Sequence, residues 1–160
     1  MLVIGYGSRL RGDDGVGWAA AEALAHRRPD VTVEATHALT PELAVEIADA
    51  PLVVFVDAQY GDCPGHVHVD RLDDNPGAAS SPHGLSPAAL LEYSARLFGR
   101  RPPAFLITVE GDRFDVGAAL SAEVRHAIPE VLAAIEWVER RSARLPRGHA
   151  EARRDRKHPA

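Results

Sequence analysis

The sequence has 160 residues, enough for one domain and too few for a second core of useful size. Its 46% hydrophobic content is that of an ordinary soluble globular protein, and no apolar run approaches the ~20 residues that span a bilayer. The net charge of −5 divides unevenly: residues 1–139 hold ten basic against 21 acidic side chains, which argues against a nucleic-acid-binding body.

Met1-Leu2-Val3-Ile4 lacks a basic leader and reaches glycine at once, so no signal peptide is expected, and Leu2-Val3-Ile4 reads as a short buried strand opening into a glycine turn. An amphipathic helix follows from Val16 to about Arg27, with Trp18, Ala21, Leu24 and Ala25 at helical spacing. Val31 to Ala35 alternates as a strand. Thr40-Pro41 then supplies an N-cap and a proline at the first position of a helix running to about Asp49. Leu52 to Val56 is a continuous apolar run and the best candidate for the central strand.

After a Gly/Pro turn at Gly61–Gly65, His66 to Asp70 alternates like an edge strand, and residues 73–82 form the one long loop. Ser86-Pro87 repeats the cap-plus-proline start of a helix carrying Leu90, Leu91, Ala95 and Leu97. Ala104 to Val109 is another apolar strand. Ser121 opens the last helix, with Val124, Ile128, Val131, Leu132, Ile135 and Val138 facing the core, and Pro129 inside it predicts a kink or an interruption. Strands alternating with helices predict an α/β domain over residues 1–142, built on a mainly parallel sheet. From Arg140 onward eight Lys/Arg meet two Asp/Glu, and residues 143–160 read as a basic, disordered tail.

The run Gly5-Tyr6-Gly7-Ser8-Arg9-Leu10-Arg11-Gly12-Asp13-Asp14-Gly15-Val16-Gly17 places a glycine turn between a strand and a helix. The dinucleotide fingerprint fails here, because its third glycine is Leu10 and the negative Asp13 and Asp14 stand where a pyrophosphate would bind. No P-loop lysine is present. Asp13 and Asp14 have a plain reading as complements to a helix dipole. Asp57, directly after the central apolar run, belongs to the carboxyl edge of the sheet, where open α/β folds place ligands. Gly5 to Asp14 leaves the first strand at that same edge, and His83, shortly before a helix, can reach it from a third loop.

Two carboxylates and an imidazole make a plausible ligand set for a divalent transition metal, with open positions left for substrate or water. His66 and His68 share one strand face but form no recognisable site. The single cysteine, Cys63, excludes an internal disulfide and a thiolate zinc site and fits a reducing cytoplasm. No base for it is identifiable by spacing, and Ser8, Ser80 and Ser81 lack the nucleophile-elbow pattern of serine hydrolases.

Taken together, Gly5-x-Gly7-x-x-Leu10-x-Gly12-Asp13-Asp14-Gly15-x-Gly17, Val53 to Ala58 and Ser81-Pro82-His83-Gly84-Leu85 resemble, in order, the three motifs of the [NiFe] hydrogenase maturation proteases. His37 to Leu43 is similar to a motif of one branch, and the resemblance spans about residues 2–138. It implies a three-layer αβα sandwich with a twisted, mainly parallel five-stranded sheet. It also implies a nickel-dependent, cytoplasmic, monomeric endopeptidase that removes the C-terminal extension of a hydrogenase large-subunit precursor. By the same resemblance Asp14, Asp57 and His83 are both the catalytic and the nickel-contacting residues. Asp13 is Asp14's partner at the helix start, and the nickel is supplied by the precursor itself. Ser8 departs from the family's usual Asn, and Thr36-His37 departs from an Asp-Gly-Gly-Thr-like segment of other branches. The alternatives are a checkpoint protein that binds precursor or metal without cutting and, more remotely, a nucleotide or small-molecule module using the Gly5/Gly7 turn.

Overall fold

The computed structural model describes residues 1–72 and 85–143; His83, the whole of the expected long loop 73–82 and the expected tail from residue 144 onward lie outside the described residues. Strand β1 (Leu2–Tyr6) pairs in parallel with β2 (Thr32–Thr36) on one side and with β3 (Val53–Tyr60) on the other. β3 pairs in parallel with β5 (Ala104–Gly111), and β4 (Val67–Arg71) closes the sheet as an antiparallel edge against β5. The order is β2-β1-β3-β5-β4, the five-stranded, mainly parallel sheet that was expected.

Both faces of the sheet are covered, which is why its central strands are apolar runs rather than alternating ones. Leu2, Ile4, Val53 and Phe55 pack with Ile47 of α2 (Ala44–Asp49) and with Leu90 and Leu91 of α3 (Pro87–Phe98). Val3, Val54, Val56 and Ile107 face the other way. They pack with Val16 and Leu24 of α1 (Val16–Arg27) and with Val131 and Ile135 of α4 (Ala122–Ser142). Two helices on each face give the three layers.

Several boundaries differ from the sequence reading for identifiable reasons. β3 does not stop before Asp57 but continues to Tyr60, because β5 also continues and its ladder carries Asp57 opposite Thr108 and Tyr60 opposite Gly111. Thr40 makes no side-chain cap; Pro41–Leu43 is a 3-10 turn, closed by the Leu43 N–H donating to the Thr40 carbonyl at 3.2 Å. The other two caps form as expected, with Ser86 Oγ accepting from Ala89 N–H and Ser121 Oγ accepting from Val124 N–H. α4 runs without interruption through Pro129. The carbonyl deprived of its helical donor is that of Arg125, and both residues are exposed, so the missing bond falls on the solvent face of the helix, where it costs least. No helix among the described residues is long and apolar enough to cross a membrane.

Candidate active site

The chain leaves β1 for β2 on one side and then returns to β3 on the other, so the strand order reverses between β1 and β3. Crevices for ligands open at the carboxyl ends of strands at such a reversal. The β1–β3 pairing ends at Gly5 opposite Val56, and the next residues on the two strands are Tyr6 and Asp57. Helix α1 is drawn close above them by glycines. A Cβ on Gly17 would lie 2.4 Å from the Tyr6 carbonyl oxygen and 2.6 Å from that of Val56, and a Cβ on Gly5 would lie 2.0 Å from the Gly17 carbonyl oxygen. Gly7, at φ +125°, turns the chain back so that its backbone passes the Asp14 carbonyl, where a side chain would not fit. The glycines of the motif therefore serve backbone packing and leave no cradle for a phosphate.

Asp14 lies in the 3-10 turn Gly12–Gly15, and its Oδ2 accepts the Ser8 N–H at 2.7 Å. Because the donor is the backbone amide, Ser8 supplies this contact as well as any other residue would. Asp57 is mostly buried beside Tyr6, and its Oδ1 accepts the Ala58 N–H at 2.8 Å. Burial pushes its pKa up to about 6; hydrogen bonds from the Tyr6 hydroxyl and the Ala58 N–H oppose that, and the neighbouring Asp14 charge adds to it. Burial and then the Asp57 and Asp14 charges hold the Tyr6 phenol well above its usual range, so it remains a donor. Tyr6 escaped the sequence reading because its value depends on register: it is the first residue of β1 past the β1–β3 ladder, level with Asp57.

Asp13 does something other than the expected complement to a helix start. No side-chain cap bond forms at either the 3-10 turn or α1, and the first turn of α1 holds no acidic residue. Asp13 instead points into the interior at 0% exposure. Its Oδ2 accepts the N–H groups of Asp112 and Arg113 at 3.2 and 3.1 Å, and its Oδ1 accepts that of Ser121 at 2.8 Å. Burial opposes its ionisation, but these bonds, Ser121's foremost, outweigh it and hold the pKa below the ordinary carboxylate range. The Asp13 N–H also donates to the Arg113 carbonyl at 2.8 Å. The loop after β5 is thereby tied to the loop after β1.

Asp14 lies near enough to Asp57 for its charge to raise the Asp57 pKa; His83, the third expected member, lies outside the described residues. Among the described residues no group of three or more His, Cys, Asp or Glu side chains could hold a metal ion. The two carboxylates offer hard oxygen donors of like charge, a partial set suited to completing the coordination of a cation held mainly by other ligands. His66 and His68 stack at 4.5 Å and 9°, and His68 Nε2 meets Glu110 Oε1 at 2.6 Å. Glu110 also accepts the Cys63 N–H at 2.9 Å, so this cluster is committed to bracing the β3–β4 turn, and Cys63 is exposed.

No protein-family model matches the sequence, and no curated protein matches it. Solved structures do. The hydrogenase maturating endopeptidase HybD from E. coli is 26% identical, with a TM-score of 0.69 over 86% of this chain and 92% of its own. The [NiFe] hydrogenase maturation protease HycI from Thermococcus kodakarensis KOD1 is 25% identical, with a TM-score of 0.69 over 87% of this chain and 91% of its own. HybD from Thermococcus kodakarensis, at 23% identity, shares the fold with a TM-score of 0.70 over 86% of this chain and 97% of its own. The chain thus has the fold of the [NiFe] hydrogenase maturation proteases over most of its length.

Proposed function

We propose that this protein is an endopeptidase that removes the C-terminal extension of a [NiFe] hydrogenase large-subunit precursor once nickel has been inserted. The observation that carries the reading is the pair Asp14, in the turn before α1, and Asp57, on β3 just past its pairing with β1, close enough on this fold for the Asp14 charge to act on Asp57. In this reading Asp14, Asp57 and His83 contact the nickel of the substrate and act in catalysis, within a catalytic body of residues 1–142 followed by a basic tail. The precursor's cysteines hold the nickel, and the enzyme's groups add to its coordination, so that the scissile peptide is oriented beside them. Asp57 takes a proton from the attacking water as that water adds to the carbonyl carbon. The proton then passes to the leaving nitrogen as the C–N bond breaks. Tyr6 holds Asp57 in place. The protein works in this role as a cytoplasmic monomer.

The non-cutting checkpoint drew its support from Ser8 as a sign of a degenerate site. Asp14 is held by the Ser8 backbone amide, a contact that does not depend on the Ser8 side chain, and this favours an intact site. The test is intact-mass analysis of the precursor after incubation with this protein, with and without nickel loading. Loss of a C-terminal peptide from the nickel-loaded form only is expected. Asp57→Asn and His83→Ala should each slow that loss by about a hundredfold or more. Undiminished processing by Asp57→Asn would sink the assignment of that residue, and an unchanged precursor mass with wild type would sink the endopeptidase.

A further inference from the structure

The three most exposed large apolar side chains among the described residues are Val116 at 81%, Tyr60 at 76% and Leu10 at 71%. They are far apart in sequence, Val116 and Leu10 on the loops that follow β5 and β1 and Tyr60 at the last position of β3, yet they share the carboxyl edge of the parallel strands. The Gly117 N–H donates to the Leu10 carbonyl at 2.7 Å, and the Tyr60 ring packs on that of Phe114 at 4.1 Å. Arg11 Nε donates to the Phe114 carbonyl at 3.2 Å. Scattered exposed apolar residues are normal, whereas a contiguous cluster marks an interaction surface. These loops are also held firmly, through the Asp13 carboxylate and its three backbone donors. Such a surface is organised before a partner arrives and loses little freedom on binding.

We propose that this rim of Leu10, Tyr60, Phe114 and Val116 is where the protein substrate docks, through an apolar patch of its own beside the segment that enters the crevice. The inference rests on the endopeptidase reading and adds to it a second contact, separate from the reacting groups. The occupant follows from where the rim lies. Leu10 lies on the segment that joins β1 to the turn of Asp14, and Tyr60 lies three residues past Asp57 on β3, so whatever covers the rim stands beside those carboxylates. A second copy of this chain would close the site, whereas a substrate protein covers it in the act of presenting its own segment. Binding through the rim is uniform across the reaction, so it sets KM and leaves kcat alone.

The full chain is tested as Val116→Asp, Tyr60→Ser and the double variant, with Leu97→Asp as a control. Leu97 is 66% exposed near the C-terminus of α3, the end that feeds β5 from the opposite edge. The probe is nickel-loaded large-subunit precursor, and Kd, kcat, KM, melting temperature and gel-filtration mass are read for each protein. We expect the rim variants to raise Kd and KM about tenfold or more, with kcat and melting temperature unchanged and Leu97→Asp behaving as wild type. Rim variants that bind and cut with wild-type Kd and KM overturn the rim while leaving the protease intact. A wild type that binds precursor through the rim but never shortens it overturns the protease and leaves the rim standing. A wild-type dimer made monomeric by Val116→Asp assigns the rim to a second copy and overturns the proposal, as does a wild type that does not bind the precursor.

Discussion

At Asp57 the folded chain binds a proton more tightly than the unfolded chain does, because burial lifts the pKa to about 6. The stability linked to that proton is fully present below about pH 4, the ordinary carboxylate value, and is lost as pH rises through about 6. At neutral pH the ionised side chain therefore costs the fold about 2–3 kcal/mol. Asp57→Asn keeps an oxygen for the Ala58 N–H and carries no charge. We expect this variant to melt several degrees above wild type at neutral pH, with the gap closing as pH falls toward about 4, as calorimetry across that range will read. A variant that melts no higher than wild type at neutral pH would remove burial as the cause. The two carboxylates were legible in the sequence, Asp57 as the first polar residue after a continuous apolar run and Asp14 as the last acidic residue of a glycine-rich turn before a helix. Tyr6 was not, because nothing local distinguishes a tyrosine at a strand end from a tyrosine level with Asp57.

The glycines of the first motif act at the scale of the element, by letting α1 rest on the ends of β1 and β3 backbone to backbone. Gly17→Ala places a methyl group 2.4 Å from the Tyr6 carbonyl oxygen and 2.6 Å from that of Val56, and neither can yield without moving its strand. Overpacking of this kind costs about 1–3 kcal/mol, and a rigid backbone neighbour belongs at the upper end. Urea unfolding should show a lower midpoint for Gly17→Ala with an unchanged slope; a midpoint equal to wild type would mean that α1 can lift away freely. The pattern of runs and breaks revealed which elements exist, since continuous apolar runs mark strands covered on both faces. It did not reveal where β3 ends. The polar Asp57, Gln59 and Tyr60 look like loop in isolation and are held as strand only by their partners Thr108, Glu110 and Gly111.

For the whole molecule, the α/β class and its mainly parallel sheet were legible from the alternation of strand and helix, and the site's edge followed from them; the three layers came with the family resemblance. Long-range tertiary bonds were not, and Asp13 is the clearest case. Its neighbours in sequence suggest a helix terminus, while its three donors lie 99, 100 and 108 residues further on. Asp13→Asn offers only one oxygen where three N–H groups converge, leaving buried donors without an acceptor at a cost of roughly 2–3 kcal/mol. The wild-type pKa is depressed, so its contribution is present above about pH 4 and is lost as pH falls through the lowered folded value. We expect a clear loss of melting temperature for Asp13→Asn near neutral pH and a narrowing gap in acid; a gap that stays constant would show that the charge is not what these donors hold. The same bonds set an order of events during synthesis. A chain that has emerged from the ribosome only as far as β5 contains Asp13 but not Ser121. The full set of bonds to Asp13 therefore forms only after the start of α4 has been made, and the loops after β1 and β5 are tied completely only late in synthesis.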